Sequence, residues 1–222
     1  LSGWSEFESL PGAGNIARHP WFERYLSQLD IFARGAGEKF GVSHFILIDG
    51  LNFIFELIGA TRTYESLFTD PEMARRAIAL GFDINLKVQR TFFERTPMLR
   101  GGTFSNMVQW IPGQIVSESV DPFHMTSVEY FETWGRENIE RMFASFDGGV
   151  LHLHGNGRHL LKAVRTLKGL KAIYLGDDRG YPPAFETLDE LRVRGGDAPF
   201  VTQTDFRSFT EDRKSTRLNS SH

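Results

Sequence analysis

Two histidines stand one residue apart in the run Val150-Leu151-His152-Leu153-His154, just before the turn Gly155-Asn156-Gly157. If this run is a β-strand, its two-residue period places both imidazoles on one face and the leucines on the other. Neutral imidazoles beside a carboxylate are ligands for a divalent ion such as zinc, and an open coordination position would favour catalysis. The alternative interpretation is a pair of structural histidines.

Other polar residues follow the predicted strands at their carboxyl ends, which meet at one edge when the strands are parallel. These residues are Asp49, Glu118, Asp121, His124, Asp177 and Asp178. The structural alternative for Asp177 and Asp178 is a helix cap, and for Asp121 it is a turn residue. Asn156 belongs to the turn, where asparagine tolerates a positive φ. Arg158, predicted to start the next helix, would present a cation to an anionic substrate beside the positive helix end.

The elements that must position these residues alternate between strand and helix. We predict strands over 42–48, 114–120, 150–154, 171–175 and 199–202. We predict helices over 20–40, 51–58, 71–94, 126–143, 158–167 and 183–191, with a long functional loop over 96–113. Asp70-Pro71-Glu72 predicts its helix start clearly, because it offers an N-cap, a proline at the first position and an acid in the first turn.

This alternation predicts an α/β fold with parallel strands. The sequence contains neither Gly-x-Gly-x-x-Gly after a strand nor a Walker-type Gly-Lys-Ser/Thr, so a nucleotide-binding fold has little support. Five visible strands match a (β/α)8 TIM-type barrel that is truncated at both ends. We therefore expect residues 1–211 to form a single, incomplete barrel domain.

Composition excludes several classes of protein. The 222 residues carry a net charge of −3 with scattered basic residues, which disfavours a nucleic-acid partner. No apolar run approaches the roughly 20 residues that span a bilayer, and the absence of cysteine is compatible with a cytoplasmic protein.

Residues 212–222 resemble a translated sequencing adapter, a non-native tail. They hold three basic and one acidic residue, so the charge without them is −5.

The chain resembles the uroporphyrinogen decarboxylase superfamily, which includes the decarboxylase of porphyrin biosynthesis and corrinoid-linked methyltransferases. The resemblance rests on Asp70-Pro71-Glu72, on Ser117-Glu118-Ser119-Val120-Asp121 with the following Met125-Thr126-Ser127, and on His152-Leu153-His154-Gly155-Asn156. The last segment is similar to the family's His-x-Cys-Gly-Asn/Asp element. These pieces cover about 42–204, and their order and spacing along the chain carry the resemblance.

The resemblance implies a barrel enzyme with its site at the carboxyl rim. It implies a zinc site of His152, His154 and Asp177, in which His154 stands in place of a cysteine ligand. It also implies methyl transfer linked to a corrinoid or a corrinoid protein. Imidazole in place of thiolate makes the ion a stronger Lewis acid, suited to activating water or an oxygen substrate. Asp121 and Asp49 are the candidate catalytic acids, and His124, Asn156 and Arg158 the candidate substrate contacts.

Two other functions remain open. A cofactor-free tetrapyrrole decarboxylase would act as a lyase, with Asp49 or Asp121 supplying the carboxylate. A non-catalytic barrel would only bind a corrinoid or a partner protein.

Overall fold

The computed structural model describes residues 4–10 and 12–210, so the adapter-like segment 212–222 lies outside the described residues. The strands are β1 (Leu47–Ile48), β2 (Gly102–Thr103), β3 (Ile111–Pro112), β4 (Val116–Ser119), β5 (Gly149–Leu153), β6 (Leu170–Leu175) and β7 (Phe200–Thr202). The α-helices are α1 (Ala13–Ile16), α2 (Pro20–Ala36), α3 (Gly50–Ile58), α4 (Ala60–Thr69), α5 (Pro71–Arg95), α6 (Val128–Trp134), α7 (Arg136–Ala144), α8 (Leu161–Val164) and α9 (Leu188–Gly195). Short 3-10 helices cover Trp4–Ser9, Leu99–Gly101, Asp121–Met125, Gly155–Leu160 and Phe185–Thr187.

Five strands form one sheet in the order β1-β4-β5-β6-β7, and every neighbouring pair is parallel. Each strand pairs with the next sheet strand along the chain, and helical segments connect them, as parallel pairing requires. The prediction of an α/β fold with a parallel sheet is therefore confirmed. A two-stranded antiparallel hairpin, β2 and β3, lies outside this sheet.

The two faces of the sheet pack against different groups of residues. One face carries Leu47, Leu151 and Ile173 into the main core, which the helices complete. On the other face Val150 and Ala172 pack with Ile115 and Met107 in a smaller cluster. Because side chains alternate along a strand, His152 shares the face of Val150.

Local signals explain the best-predicted helix boundaries. The Asp70 carboxylate accepts the Met73 N–H at 3.3 Å at the start of α5, where Pro71 occupies the first helical position. The Asp49 carboxylate likewise accepts the Asn52 N–H at 2.6 Å and caps α3.

Other elements differ from prediction. The first strand is reduced to β1, and the predicted helix over 158–167 is a 3-10 helix followed by the single turn α8. The predicted loop over 96–113 contains the hairpin, and α4 was not predicted. The helix after Ser127 divides at Gly135, where a Cβ would lie 2.8 Å from the Phe123 ring.

No helix within residues 4–10 and 12–210 combines the length and apolar character needed to cross a bilayer.

Candidate functional site

The site residues come from the carboxyl ends of three adjacent strands. Register places Ser119 of β4 beside His152 of β5, and His152 beside Tyr174 of β6. Asp121 begins the 3-10 helix two residues after β4, and its Oδ1 accepts the Ser119 hydroxyl at 2.5 Å. The parallel sheet therefore brings residues that are distant in sequence to one edge.

Asp121, His152 and His154 form a group able to hold a metal ion. One ligand atom from each residue lies within 4.8 Å of the others. The two histidine rings have centroids 4.2 Å apart, and His154 Nε2 is 3.6 Å from Asp121 Oδ1. One carboxylate and two imidazoles are a donor set that suits zinc, so these residues fit the ion that the resemblance implies.

Asp178 fixes the orientation of His154. Its Oδ1 lies 2.8 Å from His154 Nδ1, and its Oδ2 accepts the Gly155 N–H at 2.6 Å. Although partial burial alone would raise the pKa of Asp178, these hydrogen bonds lower it below its usual value. The ionised Asp178 carboxylate accepts a hydrogen bond from Nδ1–H of His154, which leaves Nε2 as the ring nitrogen with the free lone pair, on the side of Asp121.

His124 packs against the same group from the 3-10 helix after β4. Its ring meets His154 edge-on with centroids 5.5 Å apart, and its Nδ1 lies 3.9 Å from Asp121 Oδ1. Burial lowers the pKa values of His124 and His152 to about 4, against the opposing pull of Asp121. Both imidazoles are therefore neutral at physiological pH, the form in which histidine binds metals.

Three glycines make room for the rings of the site. A Cβ at Gly157 would lie 2.2 Å from the His124 ring, and one at Gly176 would lie 2.8 Å from His152 Nε2. A Cβ at Gly155 would lie 2.5 Å from the Tyr181 ring. The Gly155-Asn156-Gly157 turn thus contributes space beside the imidazoles.

Two pockets flank His154 and Asp178. The first has a volume of about 250 Å³ and is lined by Ile46, Asn106, Met107, His152, His154, Tyr174, Gly176, Asp177, Asp178 and Gln203. The second has a volume of about 370 Å³ and is lined by Asp121, His124, Met125, His154, Asn156, Asp178 and Tyr181. A larger cavity of about 410 Å³ lies elsewhere, against α2, and contains none of the site histidines. We assign the site to the two pockets because they share the histidine cluster.

The structure places Asp177 differently from its predicted role as the third metal ligand. Its Oδ1 accepts the Ala184 N–H at 2.7 Å and lies 3.9 Å from Nη2 of Arg158. Asp121 occupies the third position of the ligand group instead. The reason is the backbone beyond β6, which turns Asp178 toward His154 and Asp177 toward the following segment.

The predicted substrate contacts fall in different environments. His124 and Asn156 line the second pocket. Arg158 is buried, donates to the Pro182 carbonyl at 2.8 Å, and lines neither of the two site pockets.

Asp49 lies behind the site. It is fully buried as the cap of α3, and burial, with a contribution from Asp121, raises its pKa to about 7. Glu118, buried beside it, has a pKa well above its usual value because of burial and the charge of Asp49. Asp49 Oδ2 and Glu118 Oε2 have no hydrogen-bond partner among the described residues. Asp49 is thus buried in the packing of the fold and lines neither of the two site pockets.

Sequence reasoning did not assign roles to several residues of the pockets. These are Ile46, Asn106, Met107, Tyr174, Tyr181 and Gln203. The position of Tyr174 could have been predicted from the sequence, because strand alternation and the parallel register align it with His152. Asn106 and Met107 reach the site through the loop between β2 and β3, and a tertiary placement of this kind leaves no local signal.

Fold and site together define an α/β protein with a histidine–carboxylate cluster at the carboxyl edge of a parallel sheet. The structure is similar to that of a methyltransferase from Methanosarcina mazei, with a TM-score of 0.53 and 9% sequence identity. The match covers 91% of this chain and 67% of the other. No protein-family model and no curated protein sequence matches the chain significantly. The likeness therefore concerns the fold.

Proposed function

We propose that this chain is a metal-dependent methyltransferase that holds zinc with Asp121, His152 and His154. The convergence of these three residues within 4.8 Å at the carboxyl edge of the sheet carries the proposal. The fold similarity to a methyltransferase supports the reaction class. Zinc bound there would act as a Lewis acid toward the substrate's heteroatom.

The protein's own groups prepare the site for this chemistry. Asp178 holds His154 so that Nε2 faces Asp121, and burial keeps His152 neutral. The Asp121 side chain is 47% exposed, so the ligand group opens to the second pocket, where a substrate can approach. The three ligands leave a coordination position for that substrate.

We propose further that the sheet is part of a (β/α)8 barrel of the uroporphyrinogen decarboxylase superfamily. The sequential order of its five parallel strands is the order found in such a barrel, and the site lies at the rim that barrel enzymes use. The corrinoid link belongs to the same proposal, with a corrinoid or corrinoid protein as the methyl donor or acceptor.

The decarboxylase alternative is less well supported by the site. Asp49, one of its two candidate acids, caps α3 and is 2% exposed. It lines neither of the two site pockets, so Asp121 is the one of the two candidates placed to supply the carboxylate.

The proposal is tested by following methylcobalamin demethylation by its absorbance, with small alcohols and thiols as acceptors. We expect turnover by the zinc-loaded protein, and its loss in Asp121→Asn and in His152→Ala. His159→Ala is the matched control, because His159 is an exposed histidine whose ring nitrogens contact the Asn156 and Thr126 carbonyls, outside the ligand group.

Activity without bound zinc, or full activity of folded His152→Ala, would contradict the proposal. Far-ultraviolet circular dichroism of each variant separates loss of the site from loss of the fold.

A further inference from the structure

The cavity of about 410 Å³ beside the first turns of α2 is separate from the histidine cluster. Its volume lies within the roughly 300–1,000 Å³ that is usual for small-molecule sites. None of its lining residues belongs to the metal group or to either site pocket. The lining residues are Ile16, His19, Trp21, Phe22, Arg24, Tyr25, Gln28, Phe45 and Val88.

Aromatic rings form the walls of this α2 cavity. The ring centroids of Phe22 and Tyr25 are 5.8 Å apart, and those of Tyr25 and Phe45 are 5.6 Å apart. The Tyr25 hydroxyl donates to the Val88 carbonyl at 3.1 Å, which satisfies its polar end and fixes the ring. Trp21 is 69% exposed and Phe45 is 57% exposed, so both rings keep surface free for a ligand. Walls of this kind favour a flat aromatic ligand, which can pack on them edge-on or offset.

The fixed charge on the wall of the α2 cavity is positive. Arg24 supplies it, and none of the lining residues is aspartate or glutamate. The Arg24 guanidinium lies 4.9 Å from the centroid of the Trp21 ring, and no carboxylate within 4–10 and 12–210 pairs with it. Asp30, further along α2, pairs with Arg95 at 3.1 Å. An anion beside Arg24 therefore gains a partner without displacing one.

We propose that the α2 cavity is a second binding site, for a planar aromatic compound that carries one negative charge. The ring system packs against Trp21 and Phe45, and the charged group lies at the Arg24 guanidinium. Gln28 adds a neutral amide donor to the lining. The binding does not depend on the proposed metal group, because the two sites share no residue.

Three probes of similar shape test the charge and the aromatic character of the ligand. They are naphthalene-2-sulfonate, the neutral naphthalene-2-sulfonamide and the saturated decalin-2-sulfonate, each titrated into the whole chain by calorimetry. We expect naphthalene-2-sulfonate to bind about threefold to tenfold more tightly than either of the others. The NMR signal of the Trp21 indole N–H, assigned with Trp21→Phe, locates the binding.

Two variants with matched controls test the residues. Arg24→Gln should weaken naphthalene-2-sulfonate by about threefold to tenfold and leave the sulfonamide unchanged, whereas Arg34→Gln, on the same helix but outside the cavity, should change neither. Phe45→Leu should weaken both aromatic probes, whereas Phe32→Leu, which removes an exposed ring outside the cavity, should not. The substituted side chains are exposed, and thermal unfolding checks that each variant is folded.

Equal affinity for naphthalene-2-sulfonate and its sulfonamide, or unaltered sulfonate binding by folded Arg24→Gln, would overturn the proposal. Absence of a shift at the Trp21 indole would do the same. A second copy of the chain is the competing occupant: self-association in analytical ultracentrifugation that Phe45→Leu abolishes and naphthalene-2-sulfonate does not affect would also overturn it.

Discussion

Replacing Asp49 by asparagine should make the protein more stable at neutral and higher pH. Asp49 is fully buried, and its pKa is raised from 3.8 to about 7 by burial and by the charge of Asp121. Asparagine keeps the side-chain oxygen that accepts the Asn52 N–H at 2.6 Å, so the cap of α3 remains. The substitution thus removes the charge and keeps the cap.

The sign follows from the raised pKa. Below pH 3.8 the carboxyl is protonated in both the folded and unfolded states, so its ionisation costs no stability. As the pH rises toward about 7, the unfolded chain ionises first and the folded state loses stability relative to it. At about 1.4 kcal/mol for each pKa unit, the loss reaches about 4 kcal/mol above pH 7.

Urea unfolding of the wild-type protein and of Asp49→Asn between pH 4 and pH 8 measures this effect. We expect the free energy of unfolding of the variant, relative to that of the wild type, to increase by about 2–4 kcal/mol between pH 4 and pH 8. Asp49→Ala is the control for the cap: it removes the same charge and should be about 1 kcal/mol less stable than Asp49→Asn. A difference between wild type and Asp49→Asn that stays constant from pH 4 to pH 8 would refute the reasoning.

Three further predictions concern the site and the packing behind it. Gly157→Ala should cost about 1–3 kcal/mol in urea unfolding, because its Cβ would lie 2.2 Å from the His124 ring; unchanged stability would contradict this contact. Asp178→Asn should weaken zinc binding about 10- to 100-fold in a chelator competition, because His154 loses the carboxylate that orients it; unaltered affinity would exclude that role. Arg136→Lys should cost about 1–2 kcal/mol in thermal or urea unfolding, because Arg136 joins Glu132 and Glu140 to the Ala163 carbonyl and lysine does not reproduce this fork; a neutral result would show that these bonds contribute little.

Sequence reasoning succeeded where the structural signal is local. The start of α5 follows from Asp70 and Pro71, since a cap and a proline act on the adjacent turn. The common placement of His152 and His154 follows from strand alternation, and the structure brings their rings within 4.2 Å. The parallel sheet was predicted from the alternation of strand and helix patterns, and each of these patterns is also a local signal.

The remaining features depend on contacts between distant segments. Either Asp177 or Asp178 could face the histidines until the backbone beyond β6 is known, and the structure turns Asp178 toward His154. The division of the helix at Gly135 reflects close packing against Phe123. This contact cannot be read from the local hydrophobic pattern of the helix. Asp49 was predicted as a catalytic carboxylate because it follows a strand, and the structure shows it as the buried cap of α3, a tertiary placement that the sequence did not reveal.

Zinc affinity tests the central claim most directly. Competition with a fluorescent chelator would be measured for the wild-type chain, for His152→Ala/His154→Ala, and for the control His159→Ala. The account predicts one zinc ion per chain in the wild type and in the control, and at least a hundredfold loss of affinity in the folded double variant. Equal zinc binding by all three proteins, or none by the wild type, would contradict a metal site at Asp121, His152 and His154.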